Sequence, residues 1–242
     1  MLGVLFTYFL SYLFDVNAVI GSAMVGLLAH IFLKKYAVEI YCGSFAGMIG
    51  IFLFSPLEAL LVAVVTGLFF IITRPICNGI GGKLGAIAFV SVGMVAFILQ
   101  KTFDVFIAYP EFGYELIMLI AMLGAILTYL IQHKLKQTPV FSSSGISLIV
   151  GLILGYTSSH GFIFAAAFFA GTFVGMASKE VIPNIYLIAI AGIILGFIYH
   201  MTLSDYVGSG GKLGMMAFIS VTTTFGIKSL FHYFIENKKH LV

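Results

Sequence analysis

A lysine set behind two glycines, at the start of an apolar run, is a combination with chemical use, and this chain carries it twice. Gly79-Ile80-Gly81-Gly82-Lys83-Leu84-Gly85-Ala86-Ile87-Ala88-Phe89-Val90-Ser91-Val92 is matched by Gly208-Ser209-Gly210-Gly211-Lys212-Leu213-Gly214-Met215-Met216-Ala217-Phe218-Ile219-Ser220-Val221, with ten of fourteen positions identical. A helix that begins behind Gly-Gly presents unpaired N–H groups and a partial positive charge, and glycine lets a ligand approach the backbone. The lysine adds a full charge. Gly81, Gly82, Lys83, Gly210, Gly211 and Lys212 are therefore candidate contacts to an anion or to the negative end of a polar solute. The same turns also suit a membrane surface, each lysine reaching up to the headgroups. Retention of Gly-Gly-Lys-Leu-Gly in two diverged halves favours a shared constraint.

A second pair of matched motifs is Gly43-Ser44-Phe45-Ala46-Gly47-Met48 and Gly171-Thr172-Phe173-Val174-Gly175-Met176. Each contains GxxxG, the spacing that lets helix backbones pack closely in lipid. Ser44 and Thr172 occupy the same place in the two copies and are candidate hydroxyls along a solute pathway.

The remaining polar residues are read more simply. Glu39 and Glu180 sit beside Lys35 and Lys179, and Glu58 follows Ser55-Pro56, where an acid favours the helix dipole. Asn17, Asn78 and Asn184 lie near segment starts, in capping positions. Thr222, Thr223 and Thr224 can bond back to their own helix. His30, His160 and His200 are isolated, and Cys42 and Cys77 lie in different segments, so neither a metal site nor a redox pair is expected. There is no nucleotide-binding loop, no nucleophile elbow and no pair of catalytic carboxylates. The chain is expected to be neither an enzyme nor a cofactor carrier.

These motifs need elements to hold them, and composition says which kind. Hydrophobic residues make up 61% of the chain and charged residues 9%, against about 25% charged in soluble domains. So apolar a chain must have lipid as its solvent. The net charge of +3 is then a matter of topology and not of nucleic-acid binding.

Breaks in the apolar pattern predict ten segments near 2–14, 17–33, 37–54, 57–73, 84–100, 114–133, 143–158, 160–178, 183–201 and 212–233. Several fall short of the roughly 20 residues that span a bilayer, as expected of broken or re-entrant helices. The weakest boundaries are segment 2–14 and the junction at Ser158-Ser159-His160. Pro56 pairs with Pro183, and Met1-Leu2-Gly3 with Thr7-Tyr8 pairs with Met122-Leu123-Gly124 with Thr128-Tyr129. The expected fold is an all-α polytopic membrane protein, a single membrane domain over 1–242. Two five-segment repeats, 1–102 and 114–234, are joined by a loop around 103–113.

Five segments separate Lys83 from Lys212, so the second repeat is inverted if every segment crosses. With both termini cytoplasmic, ten of the twelve basic residues face inward and only Lys101 and Lys212 face outward, the bias of the positive-inside rule. The expected location is the cytoplasmic (inner) membrane of a prokaryote. Inverted repeats place solute sites between their halves. The expected function is a transporter or channel for a small anionic or neutral polar solute, with the bilayer and the solute as partners and a homo-oligomer as an option. The alternatives are a cation channel, or a non-transporting subunit that docks a partner protein through its GxxxG faces and basic C-terminal tail. The five-plus-five inverted plan resembles, in architecture, channels and carriers such as the urea and ammonium transporters. No motif of those families is found in the chain, so no substrate is transferred.

Overall fold

The computed structural model describes residues 1–103, 113–157 and 160–239, with side chains up to Phe234. The residues around the expected loop, 104–112, and Ser158 and Ser159 of the weak junction lie outside them. The elements formed by the described residues are all helical: α1 (Leu2–Phe14), α2 (Ala18–Phe32), a 3-10 turn (Lys34–Tyr36), α3 (Ala37–Ala46), α4 (Pro56–Thr73), α5 (Lys83–Ile98), α6 (Tyr114–His133), α7 (Pro139–Thr157), α8 (Gly161–Gly175), α9 (Ile185–Met201) and α10 (Lys212–Lys239).

Local chemistry accounts for several helix starts. Asn17 Oδ1 accepts the Val19 N–H at 3.0 Å, and Asn184 Oδ1 accepts the Leu187 N–H at 3.0 Å. At α4, Ser55 and Glu58 form a reciprocal capping box ahead of Pro56 at the first turn. Glu58 is also ion-paired with Lys101 at 3.0 Å, and Lys101 Nζ donates to the Leu53 carbonyl at 2.6 Å. Thr222 and Thr224 donate back to Phe218 and Ser220 within α10.

Two boundaries differ from the sequence expectation. The segments expected over 37–54 and 160–178 are helical only to Ala46 and Gly175. Beyond those points the backbone bonds elsewhere: the Gly50 N–H donates to the Gly208 carbonyl at 2.8 Å and the Ser178 N–H to the Gly79 carbonyl at 2.9 Å. The apolar sequence runs on after Ala46, and for Met176 and Ala177 after Gly175, but the chain there is irregular and held across the molecule. In the other direction, α7 starts at Pro139 and not at 143. The Thr138 hydroxyl caps it by accepting the Phe141 N–H, and Pro139 suits the first helical position. Ser142 and Ser144 then bond to carbonyls one turn back, so three consecutive serines sit inside a helix.

Four helices are long and apolar enough to cross a membrane: α4, α6, α7 and the Lys212–Phe234 stretch of α10. Five more are apolar but shorter. The polarity of the molecule runs outside-in. Its buried polar residues, among those described, are all serine or threonine, while Leu57, Phe97 and Tyr186 are among many large apolar side chains facing outward. So wide an apolar surface is consistent with a helical membrane protein.

The centre is built from α3 and α8. Helix α3 is surrounded by α1, α2, α4 and α5, and α8 by α6, α7, α9 and α10. Positions paired by sequence make paired contacts. Gly3 lies against the backbone of Ile40 and Ser44, and Gly124 against that of Phe168 and Thr172. Gly47 meets Val4 and Thr7 of α1, and Gly175 meets Ala125 and Thr128 of α6. The two sets join where α2 packs on α7 and α5 on α10. There Gly85 and Gly214 touch each other so closely that a Cβ on either would overlap the other's Cα.

Candidate functional site: two clefts sharing an aromatic wall

The Gly-Gly-Lys turns open into two clefts, one each. Gly82 and Gly211 cap α5 and α10 with φ of 83° and 85°, backbone that glycine adopts without steric cost. Each turn is wedged against the opposite central helix: Gly81 lies on the carbonyls of Phe173 and Val174 of α8, and Gly210 on those of Phe45 and Ala46 of α3. This brings α5 and α10 to start deep in the molecule, beside the ends of α8 and α3.

The lysines bend back from these starts. Lys83 Nζ donates to the Arg74 carbonyl at 3.1 Å and to Asn78 Oδ1 at 2.8 Å. Lys212 Nζ donates to the carbonyls of Thr202 at 2.6 Å, Leu203 at 3.3 Å and Asp205 at 2.5 Å. Arg74 and Thr202 follow the last residues of α4 and α9. Each lysine therefore ties its glycine turn to the C-terminus of the preceding helix, where carbonyls lack helical partners and the dipole is negative.

The Lys212 cleft, about 490 Å³, is lined by Ser11, Asp15 and Asn17 at the α1–α2 turn, by Met48 and Gly50, and by Tyr199, Gly211, Lys212 and Leu213. The Lys83 cleft, about 530 Å³, is lined by Lys35, Glu39, Arg74 and Asn78, by Gly82, Lys83 and Leu84, and by Gln132, Met176 and Ser178. The clefts lie at opposite ends of α2, which runs from Asn17 on one rim to the turn that holds Lys35 on the other. Fifteen residues separate those ends, about 22 Å of helix.

Two residues line both clefts: Phe45 and Phe173. Their rings are 4.5 Å apart between centroids and tilted by 48°. Phe169 stacks edge-on to Phe173 at 4.5 Å, and Tyr41 leans on Phe45 at 4.4 Å. All four come from the crossing of α3 and α8. The residues the clefts share are thus aromatic and uncharged, and Tyr41 and Phe169, which line neither cleft, back them from behind.

The hydroxyls expected on a pathway are placed elsewhere. Ser44 and Thr172 are fully buried and line neither cleft. Ser44 bonds to Ser22 of α2 at 2.8 Å, and Thr172 to Ser143 and Ser147 of α7 at 2.8 and 3.2 Å. They fasten the central helices to their neighbours. The Tyr41 hydroxyl joins this set through Ser143 at 2.9 Å. Of the glycines, Gly82 and Gly211 reach the clefts, while Gly81 and Gly210 face backbone. Glu39 lines a cleft, and Glu180, next to its rim residue Ser178, has its carboxyl held below the usual range by the Ser178 hydroxyl. Among the described residues no group of histidine, cysteine and acidic side chains is arranged to hold a metal.

Sequence reasoning missed the aromatic pair. Its signal was present, since Phe45 and Phe173 are identical residues at the centre of the matched Gly-x-Phe-x-Gly-Met motifs. Compared with known protein families, curated proteins and solved structures, the chain matches none.

Proposed function

We propose that the protein is a membrane transporter or channel for a small anionic or neutral polar solute, built from two inverted five-helix repeats with the pathway between them. The observation that carries this reading is the pair of clefts at opposite ends of the helices, which have Phe45 and Phe173 as a common wall. Phe45 and Phe173 are the two side chains that both clefts touch.

The inverted repeat is supported by reciprocal contacts. Gly79 accepts from Ser178 while Gly208 accepts from Gly50, and Gly82 lies on Phe218 and Gly214 while Gly211 lies on Phe89 and Gly85. Such exchanges are what a pseudo-twofold axis through Gly85, Gly214, Phe45 and Phe173 produces. In this reading all ten helices cross, α3, α5 and α8 being extended by the irregular stretches that adjoin them and α1, α2 and α9 crossing as short apolar helices. The cation-rich Lys83 cleft then faces the cytoplasm, as do both termini, in agreement with the distribution of basic residues, and the membrane is a prokaryotic inner membrane.

The test is flux through purified protein in liposomes with anions, cations and neutral solutes. Selective flux is expected, and Lys83→Ala and Lys212→Ala are each expected to reduce it in protein that still elutes as a folded species. Normal flux in both variants would remove the lysine turns from the pathway. No flux of any solute through folded, inserted protein would overturn the transport reading.

A further inference from the structure

We infer that the pathway is built for a small neutral solute and that Phe45 and Phe173 form the barrier that excludes ions. This inference rests on the transport reading above and narrows its solute class.

The two conspicuous cations are largely spent within the protein. An ammonium has three protons to donate, and Lys212 directs all three to the carbonyls of Thr202, Leu203 and Asp205. Lys83 donates to Arg74 and Asn78 and keeps one proton without a partner among the described residues. Binding an anion at Lys212 would break the tie that closes its glycine turn, and with it the wall of the cleft, while Lys83 has a single N–H to offer. The positive charge is answered by backbone carbonyls before any solute arrives.

The shared wall points the same way. An ion crossing between the clefts must shed water against Phe45 and Phe173, which offer no hydrogen-bonding group. The polar tip of Tyr41 is bound to Ser143 in the hydroxyl cluster between α3, α7 and α8. Among the described residues no charged or hydrogen-bonding side chain is shared by the two clefts to replace the lost hydration, and an apolar constriction stops ions by failing to wet. A neutral solute loses far less on passing the same rings. The Lys83 cleft also carries an uncharged hydrogen-bonding residue, Gln132, whose Oε1 is buried and, among the described residues, without a hydrogen-bond partner.

The experiment uses the full chain in proteoliposomes. Neutral permeation is read by stopped-flow light scattering with formamide and glycerol, and ion permeation with chloride and potassium electrodes. The wild-type protein is expected to pass at least one neutral probe about tenfold faster than protein-free liposomes, with ions at background. Phe45→Ala and Phe173→Ala are expected to raise ion leak about tenfold, and Phe45→Leu and Phe173→Leu, which keep the core filled, to raise it less. Wild-type protein that carries chloride or potassium at the neutral-solute rate overturns this inference and leaves transport standing. Folded alanine variants that still block both ions overturn the assignment of the barrier. Absence of flux for every probe in every variant overturns the transport reading, and this inference with it.

Discussion

The Lys83 cleft and the Lys212 cleft share a backbone plan and differ in charge. Both have a glycine in left-handed backbone, a lysine bent back onto helix-terminal carbonyls, a leucine, a methionine from the Gly-x-Phe-x-Gly-Met motif, and the same two phenylalanines. Around that constant frame, the Lys83 cleft carries Lys35, Arg74, Lys83 and Glu39, three positive charges against one negative, while the Lys212 cleft carries Lys212 and Asp15, one of each. The frame is what the two clefts hold in common, and the rim charge is where they differ. What is shared points to the aromatic wall and the turns beside it as the working part, and not to any one charge.

The strongest way to break the comparison is at the contact both halves share. Gly85→Leu or Gly214→Leu forces a side chain into the facing backbone, where no flexible group can yield. Either is expected to cost about 3 kcal/mol, seen as loss of the folded peak in detergent and a lowered Tm. Unchanged Tm would mean that α5 and α10 do not meet there. The lysine ties come next, and they should be unequal. Lys212, with three carbonyl partners and partial burial, should lose about 2 kcal/mol as Lys212→Met, and the more exposed Lys83 about 1 kcal/mol as Lys83→Met. Equal Tm losses would contradict the difference in their surroundings.

A smaller effect tests a place where the halves diverge. Tyr41 and Phe169 lean on Phe45 and Phe173 from corresponding positions, but only Tyr41 has a hydroxyl, and it is bonded to Ser143. Tyr41→Phe makes the pair alike and is expected to cost about 1 kcal/mol, measured as a shift in thermal unfolding. The smallest effect belongs to a contact with no counterpart in the second half. Glu58 and Lys101 are each a quarter exposed, so Glu58→Gln is expected to cost about 0.5 kcal/mol by the same measurement.

Much of the fold is legible in the sequence, for a physical reason. In a chain this apolar, polar and glycine-rich breaks mark where helices end, and segments 2–14 and 114–133 coincide with α1 and α6. What hydropathy cannot separate is helix from irregular backbone of the same apolarity. The chain stays largely hydrophobic after Ala46, and for Met176 and Ala177 after Gly175, yet the Gly50 and Ser178 N–H groups bond to Gly208 and Gly79 in the other half, contacts no local pattern encodes. The site was legible in part. The repeated Gly-Gly-Lys turns do line the clefts at Gly82, Lys83, Gly211 and Lys212. The targets of the lysines, carbonyls seven to ten residues back, depend on how the turn folds. Ser44 and Thr172 were singled out for their hydroxyls, and the phenylalanine beside each passed for core because only the crossing of α3 and α8 puts the two rings together.

The central claim is that the two clefts open to opposite sides of one membrane. The most direct test places a single cysteine in each, Asp15→Cys or Asn78→Cys, in a Cys42→Ala, Cys77→Ala background, and treats sealed inner-membrane vesicles of known orientation with a membrane-impermeant maleimide. The account predicts that residue 78 is labelled only from the cytoplasmic face and residue 15 only from the opposite face. Labelling of both from the same face would contradict it.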